Sequence, residues 1–159
     1  PVMVFQHKKF FAKEGPVPKG DFTIPLGQAA IKRAGKDITL LSYGSGFYMC
    51  QEALGELGKL NIDAEVIDLR TLKPLDMALV AESIKKTHRA VIVHEACLTG
   101  GFGAELTARI QDEVFDYLDA PIKRVAAKDF PIPFSPPLED YVLPNVADVI
   151  EAARAVTYR

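Results

Sequence analysis

At 159 residues the chain is long enough for one domain that buries roughly 70% of its unfolded surface. With 48% hydrophobic residues, 25% charged residues and a net charge of −2, it has no electrostatic reason to seek nucleic acid or an anionic membrane. No apolar run approaches the ~20 residues that span a bilayer, the first residues lack the basic-apolar-small order of a secretory leader, and Cys50 and Cys97 are too few for a disulfide framework or a zinc site. The expected setting is a reducing, cytoplasmic-type compartment.

In chain order, Val2-Met3-Val4-Phe5 is a short strand-like run. Residues 7–23 are polar and rich in turn formers (Gly15, Pro16, Pro18, Gly20), which sets a boundary between 1–23 as tail and linker and 24–159 as the domain. A modest strand is expected from Gln28 to Arg33 and a firmer one from Ile38 to Tyr43, a continuous apolar run between turns. Ser45 is a candidate N-cap for a helix with Phe47, Cys50, Ala53, Leu54 and Leu57 on one face. Ala64 to Asp68 reads as a strand. Asp76 then caps a helix that buries Met77, Val80, Ala81 and Ile84, with Lys85 and Lys86 suited to its carboxyl end.

Ala90 to Val93 is a third buried strand, followed by a helix over 104–118 that stacks Leu106, Ile110, Val114 and Leu118. The strand Pro121 to Ala126 carries Lys123-Arg124 and is expected at a sheet edge. The proline-rich segment 131–144 is expected to run extended over the surface. Asn145 caps a last helix with Val146, Val149, Ile150 and Ala153 inward. Strands alternating with helices at this spacing predict an α/β fold, a mainly parallel sheet covered on both faces.

The chemistry-bearing residues gather after the third buried strand. His94 and Glu95 end it, where ligands reach an open α/β sheet, and a histidine there is a candidate general base or proton relay. The plainer reading is that they fix the following loop or a subunit contact. Neighbouring strand residues point to opposite faces, which speaks against joint action on one atom. Gly100, Gly101 and Gly103 before a helix resemble a phosphate loop. However, the third glycine of a dinucleotide fingerprint is replaced by Leu106, and Glu105 would repel a phosphate from the helix start. Close backbone approach explains these glycines better. Arg70, in Asp68-Leu69-Arg70-Thr71-Leu72, could hold an anion bidentately or pair with Asp68 or Asp76. Cys97 lacks a recognisable activator, His7 and His88 read as surface residues, and no spacing fits a metal site.

Taken together, Asp68-Leu69-Arg70-Thr71-Leu72-Lys73-Pro74-Leu75-Asp76, Val93-His94-Glu95-Ala96 and Thr99-Gly100-Gly101-Phe102-Gly103-Ala104-Glu105 resemble the β subunit of the thiamine-diphosphate-dependent decarboxylating component of 2-oxoacid dehydrogenases. Ile24-Pro25-Leu26-Gly27 and Asp119-Ala120-Pro121-Ile122-Lys123-Arg124-Val125 agree, and His-Glu-Ala is closer to the branched-chain and acetoin members than to the mitochondrial pyruvate type. The resemblance covers the carboxyl-terminal half of that subunit, with Pro1 to Lys8 similar to the last strand of the upstream domain. It implies a transketolase-type α/β/α sandwich whose five-stranded mixed sheet has one antiparallel strand. It also implies an assembly role for Asp68, Arg70, Gly100, Gly101, Phe102, Gly103 and Glu105. Implied partners are an α subunit, a second β subunit and the peripheral-subunit-binding domain of the acyltransferase core. Thiamine diphosphate and Mg²⁺ belong to the parent complex, with none bound by this chain, and a eukaryotic parent would lie in the mitochondrial matrix. Two rivals stay open: a stand-alone α/β enzyme that uses His94, Glu95 and Arg70 at one cleft, and part of a transketolase or deoxyxylulose-phosphate synthase.

Overall fold

The computed structural model describes residues 1–159. In chain order the elements are β1 (Ala30–Arg33), β2 (Ile38–Ser42), α1 (Ser45–Lys59), β3 (Ala64–Asp68), α2 (Met77–Thr87), β4 (Ala90–Cys97), α3 (Phe102–Val114), β5 (Lys123–Ala127), α4 (Pro136–Val142) and α5 (Val146–Thr157). The five strands form one sheet in the order β1-β3-β2-β4-β5; β1 runs antiparallel to β3 and every other pair is parallel.

Side-chain alternation along buried strands builds the three layers. Leu40, Val66, Val91 and Val93 point to one face, where α1 contributes Cys50, Ala53 and Leu57 and α5 contributes Val149, Ala153 and Val156. Leu41, Ile67 and Ile92 point to the other, against Val80 and Ile84 of α2 and Leu106 and Ile110 of α3. The fold is therefore the expected α/β/α sandwich around a mixed five-stranded sheet, with the Lys123-Arg124 strand at one edge.

One buried charge escapes a pattern reading. Glu65 of β3 is fully buried, and a bare carboxylate there would carry a large desolvation cost. The Ser83 hydroxyl and the Lys86 ammonium, both on α2, donate to its two oxygens. Thr39 and Thr87 share a hydrogen bond of 2.7 Å on the same face.

Several expectations need correction. Val2-Met3-Val4-Phe5 forms no strand; nothing pairs with it and its side chains are exposed. A strand without a hydrogen-bonded neighbour has no ladder to hold it. The cap of α1 is Gly44, whose φ of 59° suits glycine, and Ser45 is the first helical residue. Helix α3 starts at Phe102 and gives way after Val114 to a 3-10 turn, Phe115–Tyr117, which leaves Leu118 outside the helix but packed on the second core.

Segment 131–144 is not extended throughout, since α4 occupies seven of its residues. Ser135 is the N-cap, and Pro136 and Pro137 fill the first helical positions, where no N–H is needed and φ is already helical. Asn145 does cap α5, through a full capping box: its side chain accepts from Ala147 and Asp148 N–H, and the Asp148 carboxylate accepts from Asn145 N–H at 2.9 Å. Replacing Asn145 with Ala is expected to lower stability by about 1 kcal/mol, read from urea denaturation midpoints at an unchanged m-value.

Candidate functional site

The chain leaves β2 through α1 towards β3 and leaves β4 through α3 towards β5, so the strand order reverses between β2 and β4. Such a switch point, at the carboxyl ends of the strands, is where open α/β sheets place their sites. Both helices that start there do so with glycine at the N-cap and at the second helical position: Gly44-Ser45-Gly46 for α1 and Gly101-Phe102-Gly103 for α3. The Gly-x-Gly spacing shared by the two starts is the sequence signal that marks the first pair.

His94 lies between these helix starts. Strand β4 slips its register with β5 between Val93 and Cys97, and His94 falls in that break. Its side chain is fully buried on the α3 side, and Tyr43, just past β2, stacks nearly parallel to it with ring centroids 6.0 Å apart. Phe102 meets Tyr43 edge-on at 6.1 Å. A methyl group on Gly101 would run into the Cys97 carbonyl and come within 2.9 Å of His94 Cε1; one on Gly103 would overlap the tip of the imidazole. Gly46, from the other face, rests on the Val93 carbonyl. The glycines are thus occupied from beneath by protein. Neither ring nitrogen of His94 has a hydrogen-bond partner. Burial holds its pKa below the ordinary imidazole value; the Ala96 backbone works against that shift and the nearby charge of Arg124 with it.

Glu95 points the opposite way, as strand alternation requires, and accepts from His7 Nε2 at 2.9 Å. Arg70 sits on the loop after β3 with a φ of 58°, exposed and without an ion-pair partner. The two carboxylates considered for it are engaged elsewhere: Asp68 accepts from the Arg70 backbone N–H, and Asp76 accepts from Leu79 N–H and Ala29 N–H. His94 and Glu95 therefore face opposite sides of the sheet, and the Arg70 side chain pairs with neither Asp68 nor Asp76.

Beyond the glycines the loop is pinned to the β5 side. Thr99 donates its N–H (2.9 Å) and hydroxyl (2.6 Å) to Asp129, and Arg124 donates to the Leu98 carbonyl at 2.7 Å. These bonds hold the Asp129 carboxyl below its ordinary pKa. Cys97 is exposed, whereas Cys50 is buried and its thiol is pushed up to about 12 by that burial. No three His, Cys, Asp or Glu side chains converge, and the α3 start carries Glu105 above a filled interior.

With this geometry in view, the relationship to known proteins is specific. The model of the transketolase C-terminal domain matches residues 27–149. The chain belongs to that family. It is 44% identical over 160 residues to the pyruvate dehydrogenase E1 component subunit beta of Rhizobium meliloti, covering 100% of this chain and 35% of the relative. It is 42% identical over 154 residues to the acetoin:2,6-dichlorophenolindophenol oxidoreductase subunit beta of Cupriavidus necator, covering 97% and 46%. The chain spans 35–48% of the length of eight such curated relatives. Among solved structures, a split-gene transketolase in an inactive β4 tetramer superposes with a TM-score of 0.75 at 26% identity, over 91% of this chain and 46% of that one.

Two outcomes follow from the His94 site. Gly101→Ala is expected to cost about 1–3 kcal/mol, because a backbone carbonyl cannot move aside. Gly103→Ala is expected to cost a comparable amount, because the fully buried His94 ring that it meets has no free space to move into; thermal denaturation of the two variants measures both. The second outcome concerns pH. The unfolded chain protonates His94 near 6.5 while the folded chain resists, so the unfolded state binds more protons below that value. Stability therefore falls as pH drops below 6.5, and His94→Gln flattens that part of the profile, measured by denaturation between about pH 7 and about pH 5.

Proposed function

We propose that this chain is the carboxyl-terminal assembly domain of a β subunit from the decarboxylating component of a 2-oxoacid dehydrogenase, and that by itself it neither binds thiamine diphosphate nor catalyses. The observation that carries this reading is the extent of the similarity: to eight curated relatives it runs through 94–100% of the chain, and each of the eight is a β subunit about twice as long or longer. The filled glycine loop supports it, because a helix start closed by His94 offers a ligand nothing but an acidic first turn. In the parent, thiamine diphosphate with Mg²⁺ would supply the decarboxylation chemistry, held by residues outside this chain, and the acyl group would pass to a lipoyl arm.

The residues of this chain would serve contact. The outer side of the loop (Leu98, Thr99, Gly100) is exposed yet pinned by Asp129 and Arg124, and a preorganised surface of that kind suits a subunit interface. Phe130, Ile132, Phe134, Leu138 and Tyr141 form a second exposed apolar stretch, with Phe134 wholly in solvent. Beside it a cleft of about 370 Å³ separates β5 from α4 and α5, with Lys123, Arg124 and Lys128 facing Asp148 and Glu151. We assign this region to the partner-facing side, for the second β subunit or the peripheral-subunit-binding domain. Exposed apolar area of this extent predicts self-association when the α subunit is missing, in keeping with the inactive β4 assembly of the split-gene transketolase.

Isothermal titration of the chain with thiamine diphosphate and Mg²⁺ is expected to give no saturable heat, and light scattering is expected to show oligomers. Tight stoichiometric binding of the cofactor would refute the reading.

A further inference from the structure

We propose that residues 7–13 are a clasp that fixes where the preceding polypeptide leaves this domain, with Tyr48 and Glu95 as its two receiving groups. Among residues 1–26, Phe10 is the single side chain that is not exposed. Its ring lies 4.5 Å from that of Tyr48 on α1 and 4.9 Å from that of His7. Lys13 Nζ stands 3.3 Å from the centroid of the same Tyr48 ring, so one tyrosine takes both an aromatic ring and a cation from the segment.

The second anchor is the imidazole of His7. Its Nδ1 accepts from the Lys9 N–H at 3.2 Å, capping the 3-10 turn Lys8–Phe10, and its Nε2 lies 2.9 Å from Glu95 Oε2. A backbone N–H can only donate and a carboxylate can only accept, so the proton of the neutral ring belongs on Nε2. A single side chain thus shapes the turn and ties it to β4. Glu95 has no other ion-pair partner. The turn carries both anchors as one unit, through bonds from Phe10 N–H to the His7 carbonyl (3.0 Å) and from Lys13 N–H to the Phe10 carbonyl (3.0 Å). Residues 14–26 have no comparable backbone bonds.

That this clasp orients an upstream part of the subunit rests on the reading given above; that it closes on Tyr48 and Glu95 does not. Its position matters because Glu95 and His94 are neighbours on opposite faces of β4. The clasp fastens one face of that strand end, and the glycine start of α3 is seated on the other.

Limited trypsinolysis of the chain, followed by mass spectrometry, tests the clasp without reference to any partner. The Lys9–Phe10 bond lies inside the clasp, and Lys19–Gly20, in the unbonded stretch, is the internal reference. Tryptic cleavage needs the local segment to open. In the wild type, Lys9–Phe10 is expected to be cut about tenfold more slowly than Lys19–Gly20, the factor that one charge-assisted hydrogen bond or cation–π contact supports. Tyr48→Ala and Glu95→Ala leave both scissile sequences intact and should bring the two rates within about threefold, while Arg109–Ile110 within α3 stays uncut and reports an intact domain. Equal rates in the wild type, or variants that leave the ratio unchanged, would overturn the proposal. A cofactor titration that contradicted the proposed function would leave this result standing.

Discussion

A fully buried imidazole wedged beneath a glycine helix start is the contact on which the switch-point end of this domain depends. Large aromatic rings in a core are normally met by apolar side chains. Here His94 is met by Tyr43 on one side and by the bare backbone of Gly101 and Gly103 on the other. Absence of side chains at those two positions lets α3 begin directly on the strand end, and the loop from Cys97 to Gly100 then turns in the small space that remains. The contact is also a weak point. No ring nitrogen meets a partner at full hydrogen-bond geometry, so little beyond the nearby Ala96 backbone offsets the dehydration of the ring.

That arrangement changes what the carboxyl ends of the strands can do. In a doubly wound fold, glycines at a helix start usually leave backbone N–H groups free to meet an anion. The same glycines are spent here on closeness between backbone and strand, and Glu105 occupies the favourable end of the helix dipole. The fold has kept the geometry of a ligand crevice and filled it with its own side chains. What stays accessible is the outer rim: the pinned loop, the aromatic stretch after β5 and the notch between Tyr48 and Glu95.

The sequence made most of this legible where a single physical signal dominates. Continuous apolar runs marked β2, β3 and β4 because both faces are covered, and Lys123-Arg124 marked an edge because a central strand could not hold them. The opposite orientation of His94 and Glu95 followed from strand alternation alone. What escaped notice depended on tertiary partners. Val2 to Phe5 has the composition of a strand but no neighbour to pair with. Pro136 and Pro137 seemed to forbid a helix, yet they stand at its first turn, the one place where they favour it. Glu65 looked like an ordinary strand residue, and only its position opposite α2 reveals that Ser83 and Lys86 make its burial possible. His7 is exposed, as its sequence context predicts, yet nothing local signals that its partner lies 88 positions away.

The two borders of the sheet close it against further strands. At one, β1 is four residues long, slips register between Ile31 and Arg33, and ties its Arg33 to Asp63 at 2.9 Å. At the other, β5 presents Lys123 and Arg124. Short, irregular or cationic borders resist templating by another chain. When copies of this domain associate, loops and helices rather than strand edges offer the contact surface. Growth along the hydrogen-bonding direction, the route to fibrils, is disfavoured at both ends, which protects a domain with this much exposed aromatic surface from extending its own sheet.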